Sequence, residues 1–564
     1  MKINEIYSKY EAISLDTYLN KCGVKDIEEF LNPTGKYLDD CFDYYNMNKA
    51  VEMFKKNIGK DTYILCDSGD VDGISSTVIL FQYMKQVNKN WNIDILIHEG
   101  KERGLQDETL FKYIQDNPRP FLIIPDSGTN DCEEAEQLKD YNIDILVLDH
   151  HTIVTPIENG IVVNNQDEKS NVSRNGSGCL VTHKFLSALD KSLDCVDDFL
   201  SAEYIDMVAL SLVSDVMNMA DEQNRTYYHY GIETIDCIKN SFLKALFEHF
   251  IGDKPYTQRD IAFKIIPKLN SICRSKSQEL KYIIIRTFLG SENIDYALDK
   301  CAEAHQNQIA TVNNIIENNI NEILSVSNDN LVVFSCDDMP KSYSGLIAGK
   351  IMDISGGKPT LVGKIIDNEF IGSLRSPIPM QTELDNNDLV EWARGHEQSC
   401  GILIKEDNIQ PLIDYYNHKE ISYEPCIDVL RSYAIQDVPC NLFDLFKADT
   451  DVLWGNGITK PIFELHNIIF TPNDLQILGK NHRTIKLISG DISFLFFNIT
   501  NKDRNRLGLE NDDKDIKLKL SVIGTPSINI YVSPYGKTYV NKQIIVDNFT
   551  VKKYILGIRE NVFK

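Results

Sequence analysis

Residues 63–73 read Tyr-Ile-Leu-Cys-Asp-Ser-Gly-Asp-Val-Asp-Gly, a short apolar run followed at once by three closely spaced aspartates. Two later apolar runs end in the same way. Residues 121–124 precede Pro125-Asp126, and residues 145–148 precede Asp149-His150-His151. Because the carboxyl ends of parallel strands meet at one edge of a sheet, this pattern predicts carboxylates and imidazoles gathered at that edge.

Two more short apolar runs, at residues 93–97 and 161–163, extend the series. Most of the runs are separated by segments long enough for a helix, and Ile74, Val78 and Phe81 follow the first run at helical spacing. Continuous apolar strands that alternate with amphipathic helices are typical of a parallel sheet covered on both faces. The predicted fold class is therefore α/β, with the ligand beyond the carboxyl ends of the strands.

The N-terminal half divides into three predicted parts. Residues 1–48 read as a lead-in of short helices, and residues 49–225 hold the parallel-sheet domain with a first helix at 47–56. Residues 226–325 read as a helical connector that ends in a long polar helix over 299–325. A chain of 564 residues is too long for one apolar core, so several domains are expected.

The C-terminal half divides into two predicted parts. Residues 326–415 are expected to form a second α/β domain, with a helix at 344–354 and strands at 331–334, 360–366, 369–374 and 401–404. Residues 416–564 are expected to hold five or so short strands, among them 517–522 and 528–532. That pattern favours a small β barrel or sandwich.

The overall composition sets the remaining limits. With 43% hydrophobic and 25% charged residues the chain is an ordinary globular protein, and no apolar stretch or leader predicts a membrane span or a secretory signal. Thirteen scattered cysteines without a Cys-x-x-Cys pair favour a reducing compartment, so we expect a cytoplasmic protein. The net charge of −25 argues against a nucleic-acid partner, unless bound cations and a local basic groove reverse the field.

The aspartates and histidines at the strand ends have a chemical reading and a structural one. Close carboxylates repel each other unless a cation holds them, and oxygen ligands joined by an imidazole suit Mg²⁺ or Mn²⁺. Two such ions could support the hydrolysis of a phosphate ester. The structural alternatives are that Asp70–Gly73 is only a turn and that the carboxylates only cap helices. All these alternatives would have to hold together, at ordered strand ends, and the metal site is therefore favoured.

These ordered motifs resemble the DHH phosphoesterase superfamily and, within it, the RecJ-like single-strand exonucleases. Asp70-Val-Asp72-Gly73, Asp126, Asp149-His150-His151 and the segment 207–217 around Asp215 are similar to its four catalytic motifs. Segments 344–350, 372–376 and 394–401 resemble the DHH-associated domain, and segments 454–457, 461–463 and 478–486 resemble an appended oligonucleotide-binding (OB) fold. The chain departs from the family at Cys66, where an optional histidine stands, at Ser68-Gly69, and at Arg394, the first glycine of a Gly-Gly-His motif.

The resemblance implies a site and an activity. The ligands of two Mn²⁺ or Mg²⁺ ions would be Asp70, Asp72, Asp126, His150 and Asp215. Because Cys66 stands at the place of the optional histidine, one ion would be held more weakly or Asp67 would take the place of that histidine. Asp149 would orient the histidines, and His151 would contact the scissile phosphate. Substrate would be bound by Ser373, Arg375, Ser376, Arg394 and His396 at its end, and by Lys480, Arg483 and Lys486 along the OB-like domain.

By the same resemblance, the chain is expected to be a 5′→3′ exonuclease that degrades single-stranded DNA to mononucleotides. Two alternatives remain at this stage: a DHH phosphodiesterase of short oligonucleotides or cyclic dinucleotides, and a non-catalytic DHH scaffold at the replication fork. We expect a monomer whose partners are single-stranded DNA, or RNA, and single-strand-binding or repair proteins.

Overall fold

The computed structural model describes residues 2–8, 11–98, 103–197, 199–252, 256–419, 426–439, 442–446, 448–479, 482–532 and 537–553. Its α-helices are Leu15–Lys21, Ile27–Leu31, Met47–Asn57, Val71–Val87, Glu108–Asp116, Cys132–Gln137, Gly178–Asp190, Ile205–Ser214, Glu222–Gly231, Ser241–Phe250, Gln258–Asp260, Ile266–Cys273, Gln278–Phe288, Ile294–Asn318, Ile320–Val326, Ser344–Ile354, Gln381–Asp385, Ile409–His418 and Asn501–Arg506. Within these ranges, no helix has the length and apolar character needed to cross a membrane.

A five-stranded sheet, here called the parallel sheet, forms the centre of the N-terminal half. All its neighbours are parallel, and its spatial order is Ile93–Ile97, Thr62–Cys66, Phe121–Pro125, Asp144–Asp149, Ile161–Asn164. Alternate side chains enter two different apolar clusters: Ile64 and Ile123 lie in one, Leu65 and Ile124 in the other. Both faces are therefore buried, and the α/β fold class predicted from the sequence is confirmed.

The chain order reverses at the centre of this sheet. Thr62–Cys66 has the second strand, Ile93–Ile97, on one side and the third, Phe121–Pro125, on the other. Successive crossovers therefore leave the sheet in opposite directions, which opens a crevice beyond the carboxyl ends of Thr62–Cys66 and Phe121–Pro125. The aspartates that follow these strands lie at the mouth of this crevice.

The helical connector differs from its prediction in one detail. The single helix expected over 299–325 is two helices, Ile294–Asn318 and Ile320–Val326, which meet at Asn319. The Asn319 side chain donates to the Ile315 carbonyl oxygen at 2.8 Å and so competes with the helical hydrogen bonds there. A short π-helix, Ile261–Ile265, lies earlier in the connector.

The second sheet follows the connector. Its order is Trp392–His396, Ser399–Lys405, Glu369–Arg375, Thr360–Ile366, Val332–Ser335, and it is antiparallel except for the last pair. The helix Ser344–Ile354 packs on the strands Thr360–Ile366 and Glu369–Arg375. The strands predicted at 331–334, 360–366, 369–374 and 401–404 lie here within about two residues of their expected bounds.

The C-terminal sheet has seven strands rather than five, in the order Ser432–Ala434, Phe463–Phe470, Leu518–Val532, Thr538–Lys553, Ile492–Phe496, Thr484–Ser489, Leu475–Leu478. The expectation of two short strands at 517–522 and 528–532 is wrong. Gly524 and Pro526 read as a break in the sequence, yet a register shift between Ile523 and Gly524 accommodates them within one long strand. The β-rich character of this region is as predicted.

The N-terminal lead-in contains a strand that the sequence pattern did not reveal. Lys2–Glu5 pairs in parallel with Cys426–Val429, more than 420 residues away in the chain. The first helix joins the same assembly, because the Tyr18 hydroxyl donates to the Thr459 carbonyl oxygen at 2.7 Å and Leu19 is fully buried in the apolar core of the C-terminal sheet. The lead-in is therefore packed against the other end of the chain.

This packing gives a first prediction. Replacing Leu19 by Ala removes buried apolar volume from the shared core, so Leu19→Ala should lower the free energy of unfolding by about 2–5 kcal/mol. Hydrogen exchange should accelerate in Phe463–Phe470 and stay unchanged in Thr62–Cys66. Leu38→Ala, at a half-exposed leucine of the same lead-in, should change stability by less than about 0.5 kcal/mol. Faster exchange confined to the lead-in would contradict the shared core.

Candidate metal centre and substrate groove

The edge of the parallel sheet brings the predicted strand-end residues together. Thr62–Cys66, Phe121–Pro125 and Asp144–Asp149 are neighbours, and their carboxyl ends lead into Asp67–Asp72, Asp126 and Asp149–His151. Asp126 has a φ of 66° and its amide donates to the Leu148 carbonyl oxygen at 2.8 Å. This left-handed conformation is uncommon outside glycine and turns the chain sharply at the strand end.

Asp72 is fixed from the opposite side by a helix N-terminus. Its two carboxylate oxygens accept from the backbone amides of Gly178 and Cys179 at 2.8 and 2.9 Å, and one also accepts from the Ser211 hydroxyl at 2.6 Å. The N-terminus of the helix Gly178–Asp190 thereby compensates part of the carboxylate charge. Gly178 has no substitute here, because a Cβ at this position would lie 2.2 Å from Asp126 Oδ1.

His150 has one ring nitrogen turned toward the carboxylates. Its Nδ1 lies 3.1 Å from the Gly176 carbonyl oxygen, which can only accept, so Nδ1 carries the proton and Nε2 of the neutral ring has a lone pair. That Nε2 is 3.3 Å from Asp126 Oδ1, 3.6 Å from Asp215 Oδ2 and 3.7 Å from Asp72 Oδ2. Four acceptors thus converge on one point.

Such a cluster fits a divalent cation. Neighbouring ligands of an octahedral ion bound at about 2.1 Å lie roughly 3 Å apart, close to the separations around His150 Nε2. Asp126 Oδ1 is buried and has no hydrogen-bond partner among the described residues. Burial and the charges of Asp72 and Asp70 raise the pKa of Asp126 well above its usual value, and the same causes raise the pKa of Asp215 to about 8. A bound cation would relieve both effects.

Asp149 holds the second histidine of the triplet. Its carboxylate accepts from the backbone amides of His150 and Thr129 and lies 2.8 Å from His151 Nδ1. Burial alone would raise the pKa of Asp149, but the hydrogen bond and charge of His151 and the other donors lower it below its usual value. Asp149 orients His151, whereas the ring of His150 is oriented by the Gly176 carbonyl oxygen.

Arg103 is a site residue that the motifs did not reveal. Its guanidinium lies 2.9 Å from Asp70 Oδ2, 3.3 Å from Asp67 Oδ2 and 2.7 Å from His151 Nε2, and the side chain remains about half exposed. The ion pairs with Asp67 and Asp70 raise the pKa of Arg103, so it is a permanent cation. Its position in the sequence could have predicted it, because Arg103 follows the strand Ile93–Ile97 and so lies at the same edge of the sheet.

The segment Cys66–Gly73, where the chain departs from the family, is closely packed. Asp67 is fully buried and directed at Arg103, and Asp70 caps the helix Val71–Val87 by accepting from the Gly73 amide at 3.2 Å. A Cβ on Gly73 would lie 2.0 Å from the Asp67 carbonyl oxygen, which explains the glycine. Lys281 of the connector donates to the Ser68 hydroxyl at 3.1 Å and supports this loop from behind.

The residues expected to bind the end of the DNA strand differ in their surroundings. The Ser373 hydroxyl lies 2.8 Å from that of Ser344, and Arg375 follows at the end of the same strand. Burial and the charge of Arg274 lower the pKa of Arg375. Ser376, by contrast, is buried, and its hydroxyl is hydrogen-bonded to Ile378 within its own turn, so its contact with substrate stays a prediction.

Three of the other expected substrate residues, Arg394, His396 and Arg483, are exposed. Arg394 and His396 lie on the edge strand Trp392–His396, two residues apart and therefore on one face. In the C-terminal sheet, Arg483 is exposed and Lys486 partly buried, while Lys480 falls outside the described residues. Arg483 shares a shallow cavity of about 570 Å³ with His482 and Arg504, and the sequence motifs did not single out Arg504.

The comparisons with known proteins define the class. Residues 61–212, which contain the parallel sheet, match the family described as DHH family, N-terminal domain. The structure brings the four predicted catalytic motifs together in this domain and at Asp215 immediately beyond it.

The whole chain is similar to RecJ-like single-strand exonucleases, as its motifs predicted. It is 26% identical, over 93% of its length and 94% of the relative, to a putative SPbeta prophage-derived single-strand DNA-specific exonuclease, YorK, of Bacillus subtilis. It is 20% identical to the single-stranded-DNA-specific exonuclease RecJ of the same organism, over 89% of this chain and 63% of that one. The crystal structure of Thermus thermophilus RecJ with Mn²⁺ matches 96% of this chain and 76% of its own, at a TM-score of 0.73 and 18% identity, and so shares its fold.

The crowded carboxylates give a prediction on stability. Without metal, Asp126 and Asp215 bind protons in the folded state that they release on unfolding at neutral pH. Their raised pKa values mean that the free energy of unfolding in EDTA should fall as the pH rises from about 4 to about 8. Asp126→Asn should flatten this decline and raise the melting temperature in EDTA at pH 8, as measured by calorimetry.

Mn²⁺ supplies the second half of this test. A ligand that binds only the folded state at 100 times its Kd adds about 2.7 kcal/mol, so Mn²⁺ should raise the melting temperature of the wild type and much less that of Asp126→Asn. Asp144→Asn is the matched control: Asp144 begins the strand that ends at Asp149, is paired with Lys56 at 2.8 Å, and lies away from the cluster. It should keep the Mn²⁺ shift. An unchanged shift in Asp126→Asn would exclude Asp126 as a ligand.

Proposed function

We propose that this protein is a metal-dependent exonuclease that degrades single-stranded DNA from its 5′ end to mononucleotides. The observation that carries the proposal is the convergence of His150 Nε2 with oxygens of Asp72, Asp126 and Asp215 at one sheet edge. Relatives similar over almost the whole chain are named as single-strand DNA-specific exonucleases, which supplies the substrate class. Their similarity also favours hydrolysis over a scaffold role.

Two Mn²⁺ or Mg²⁺ ions would be held by Asp70, Asp72, Asp126, His150 and Asp215. Two groups of donors, Asp126-His150-His151 and Asp72-His150-Asp215, each have ligand atoms that lie within 4.8 Å of one another, and together they contain four of the five proposed ligands. Bound there, such ions would acidify water and neutralise charge on phosphoryl oxygens. Asp126 is the carboxylate most available to them, because its Oδ1 has no hydrogen-bond partner among the described residues, whereas Asp72 already accepts from backbone amides.

Arg103 and His151 would bind the scissile phosphate. Arg103 Nη1 lies 2.7 Å from His151 Nε2. Asp67 and Asp70 hold the Arg103 side chain, and Asp149 holds that of His151. The guanidinium of Arg103 can donate to a non-bridging oxygen, and His151 can do so as an imidazolium, because in its neutral ring Nδ1–H donates to Asp149 and Nε2 accepts from Arg103. Their fixed positions would orient the phosphorus toward the carboxylate cluster.

Arg375 and Arg274 would hold the terminal 5′-phosphate. Burial lowers the pKa of both arginines, and the charge of Arg274 also lowers that of Arg375, so a bound phosphate would stabilise their charged forms. Ser373 lies on the same strand as Arg375, two residues away, and would add a hydroxyl. Arg394 and His396 would contact the DNA strand from the sheet edge. Lys480, Arg483 and Lys486 would bind its backbone.

Hydrolysis of a long single strand tests the proposed activity. A DNA strand with a labelled 5′ terminal nucleotide should release that nucleotide first as a mononucleotide, only when Mn²⁺ or Mg²⁺ is present. Asp126→Asn should lower the rate by more than about 100-fold, beyond the loss typical of residues that only support a ligand. Asp144→Asn should keep the wild-type rate. A rate for Asp126→Asn within about tenfold of the wild type would exclude the metal assignment, and release only from dinucleotides would exclude a long-strand enzyme.

The terminal phosphate tests the role of Arg375. If Arg375 donates to that phosphate, Arg375→Ala should weaken the binding of 5′-phosphorylated strands by roughly 1.5–3 kcal/mol, the value for a hydrogen bond to a charged group. The loss should shrink with 5′-hydroxyl strands, measured by fluorescence anisotropy in EDTA. Arg286→Ala, at a half-exposed arginine on the helix Gln278–Phe288, serves as the control. An equal loss on both kinds of end would show that Arg375 binds another part of the strand.

A further inference from the structure

A cavity of about 660 Å³ opens beside the metal ligand Asp215. Three segments form its walls: residues 212–219 at the end of the helix that precedes Asp215, residues 257–263 of the connector, and residues 451–460 of the C-terminal region. These segments are bound together, since the Met219 amide donates to the Asn456 carbonyl oxygen at 2.9 Å. The cavity therefore lies where three parts of the chain meet, and its size suits a group as large as a nucleoside.

Two buried donors in its wall have no acceptor. Trp454 Nε1 and Gln258 Nε2 lack a hydrogen-bond partner in the described part of the chain, although their residues are only 6% and 4% exposed. A buried donor without an acceptor is costly, so such groups usually meet a ligand or water. The indole is held in place by its ring contact with Tyr18, at 6.1 Å between centroids. Both residues line the cavity, so the two donors lie in its wall.

The mouth of the cavity is apolar, exposed and strained. Phe263 is 72% exposed, and Arg259 lies over its ring at 5.9 Å. Val216, which follows Asp215 directly, is 62% exposed and has a φ of 55°, a conformation that a β-branched residue rarely adopts. Phe263 also lies within the short π-helix Ile261–Ile265. Backbone strain and short π-helical segments are often found at functional sites.

We propose that this cavity receives a nucleobase of the single strand, next to the scissile bond. A base is flat and apolar on its faces, which suits stacking on Phe263, and its edge carries carbonyl and ring-nitrogen acceptors for Trp454 Nε1 and Gln258 Nε2. Every base has an acceptor on its edge, so the cavity would accept all four. The inference rests on the proposed exonuclease function and adds a site that grips a base rather than the backbone.

The cavity also explains how the strand could be kept in register. Val216 joins the cavity to Asp215, whose carboxylate lies 3.6 Å from His150 Nε2. A base held against Val216 and Phe263 would fix the position of its own phosphate relative to the carboxylate cluster.

An abasic scan tests the proposal. A set of 5′-phosphorylated 20-nucleotide strands, each with one abasic position, is titrated against the protein in EDTA, and affinity is measured by fluorescence anisotropy. For the wild type, one position near the 5′ end should weaken binding by roughly 5- to 100-fold, the range for a stacked base. Phe263→Ala and Trp454→Phe should weaken binding of the intact strand and abolish the difference at that position.

The controls separate this outcome from others. Phe199→Ala, at a phenylalanine that is 80% exposed and does not line the cavity, should retain the wild-type scan. Phe263 is exposed, so Phe263→Ala remains informative even if Trp454→Phe unfolds. The proposal is overturned if no abasic position alters wild-type affinity, or if both cavity variants retain the same sensitive position. Because the scan measures binding without metal, a protein that binds but fails to hydrolyse DNA would overturn the proposed function and leave this result intact.

Discussion

The structure around the sheet edge depends on the cost of holding several carboxylates and a histidine lone pair in one buried space. Asp72, Asp126 and Asp215 face His150 Nε2 at 3.3–3.7 Å, where each acceptor repels the others. Only a proton or a cation at the centre makes the arrangement favourable. The raised pKa values of Asp126 and Asp215 are the signature of this cost in the metal-free protein.

The surrounding fold compensates for the charge of some of these aspartates more than for that of others. Backbone amides at the N-terminus of the helix Gly178–Asp190 bind Asp72, and Arg103 pairs with Asp67 and Asp70. Asp126 Oδ1 is left without a partner in the described part of the chain, which makes it the atom most in need of a cation. The glycines at 73 and 178 allow these close approaches, since a Cβ at either position would overlap an aspartate oxygen.

The same packing connects the centre to distant parts of the chain. Lys281 of the connector reaches Ser68 behind the first aspartates, and Asn456 of the C-terminal region binds the backbone after Asp215. The C-terminal region in turn binds the N-terminal lead-in, through the pairing of Lys2–Glu5 with Cys426–Val429 and the hydrogen bond from Tyr18 to Thr459. At the acidic sheet edge itself, Arg103 contributes a cation that pairs with Asp67 and Asp70.

The sequence by itself determined the parallel sheet and the content of its edge. Short apolar runs of strand length, each followed by aspartate or histidine, are local signals, and the strands Thr62–Cys66, Phe121–Pro125 and Asp144–Asp149 follow from them directly. The tertiary structure alone decided which residues from other parts of the chain surround that edge and how the lead-in is packed. Arg103 and Arg274 carry no periodic signal, Ser376 turns inward to Ile378, and Lys2–Glu5 becomes a strand only by pairing with Cys426–Val429. Each of these outcomes depends on contacts between residues remote in the chain or on the turn that closes a strand, and a local pattern of apolar and polar residues does not encode them.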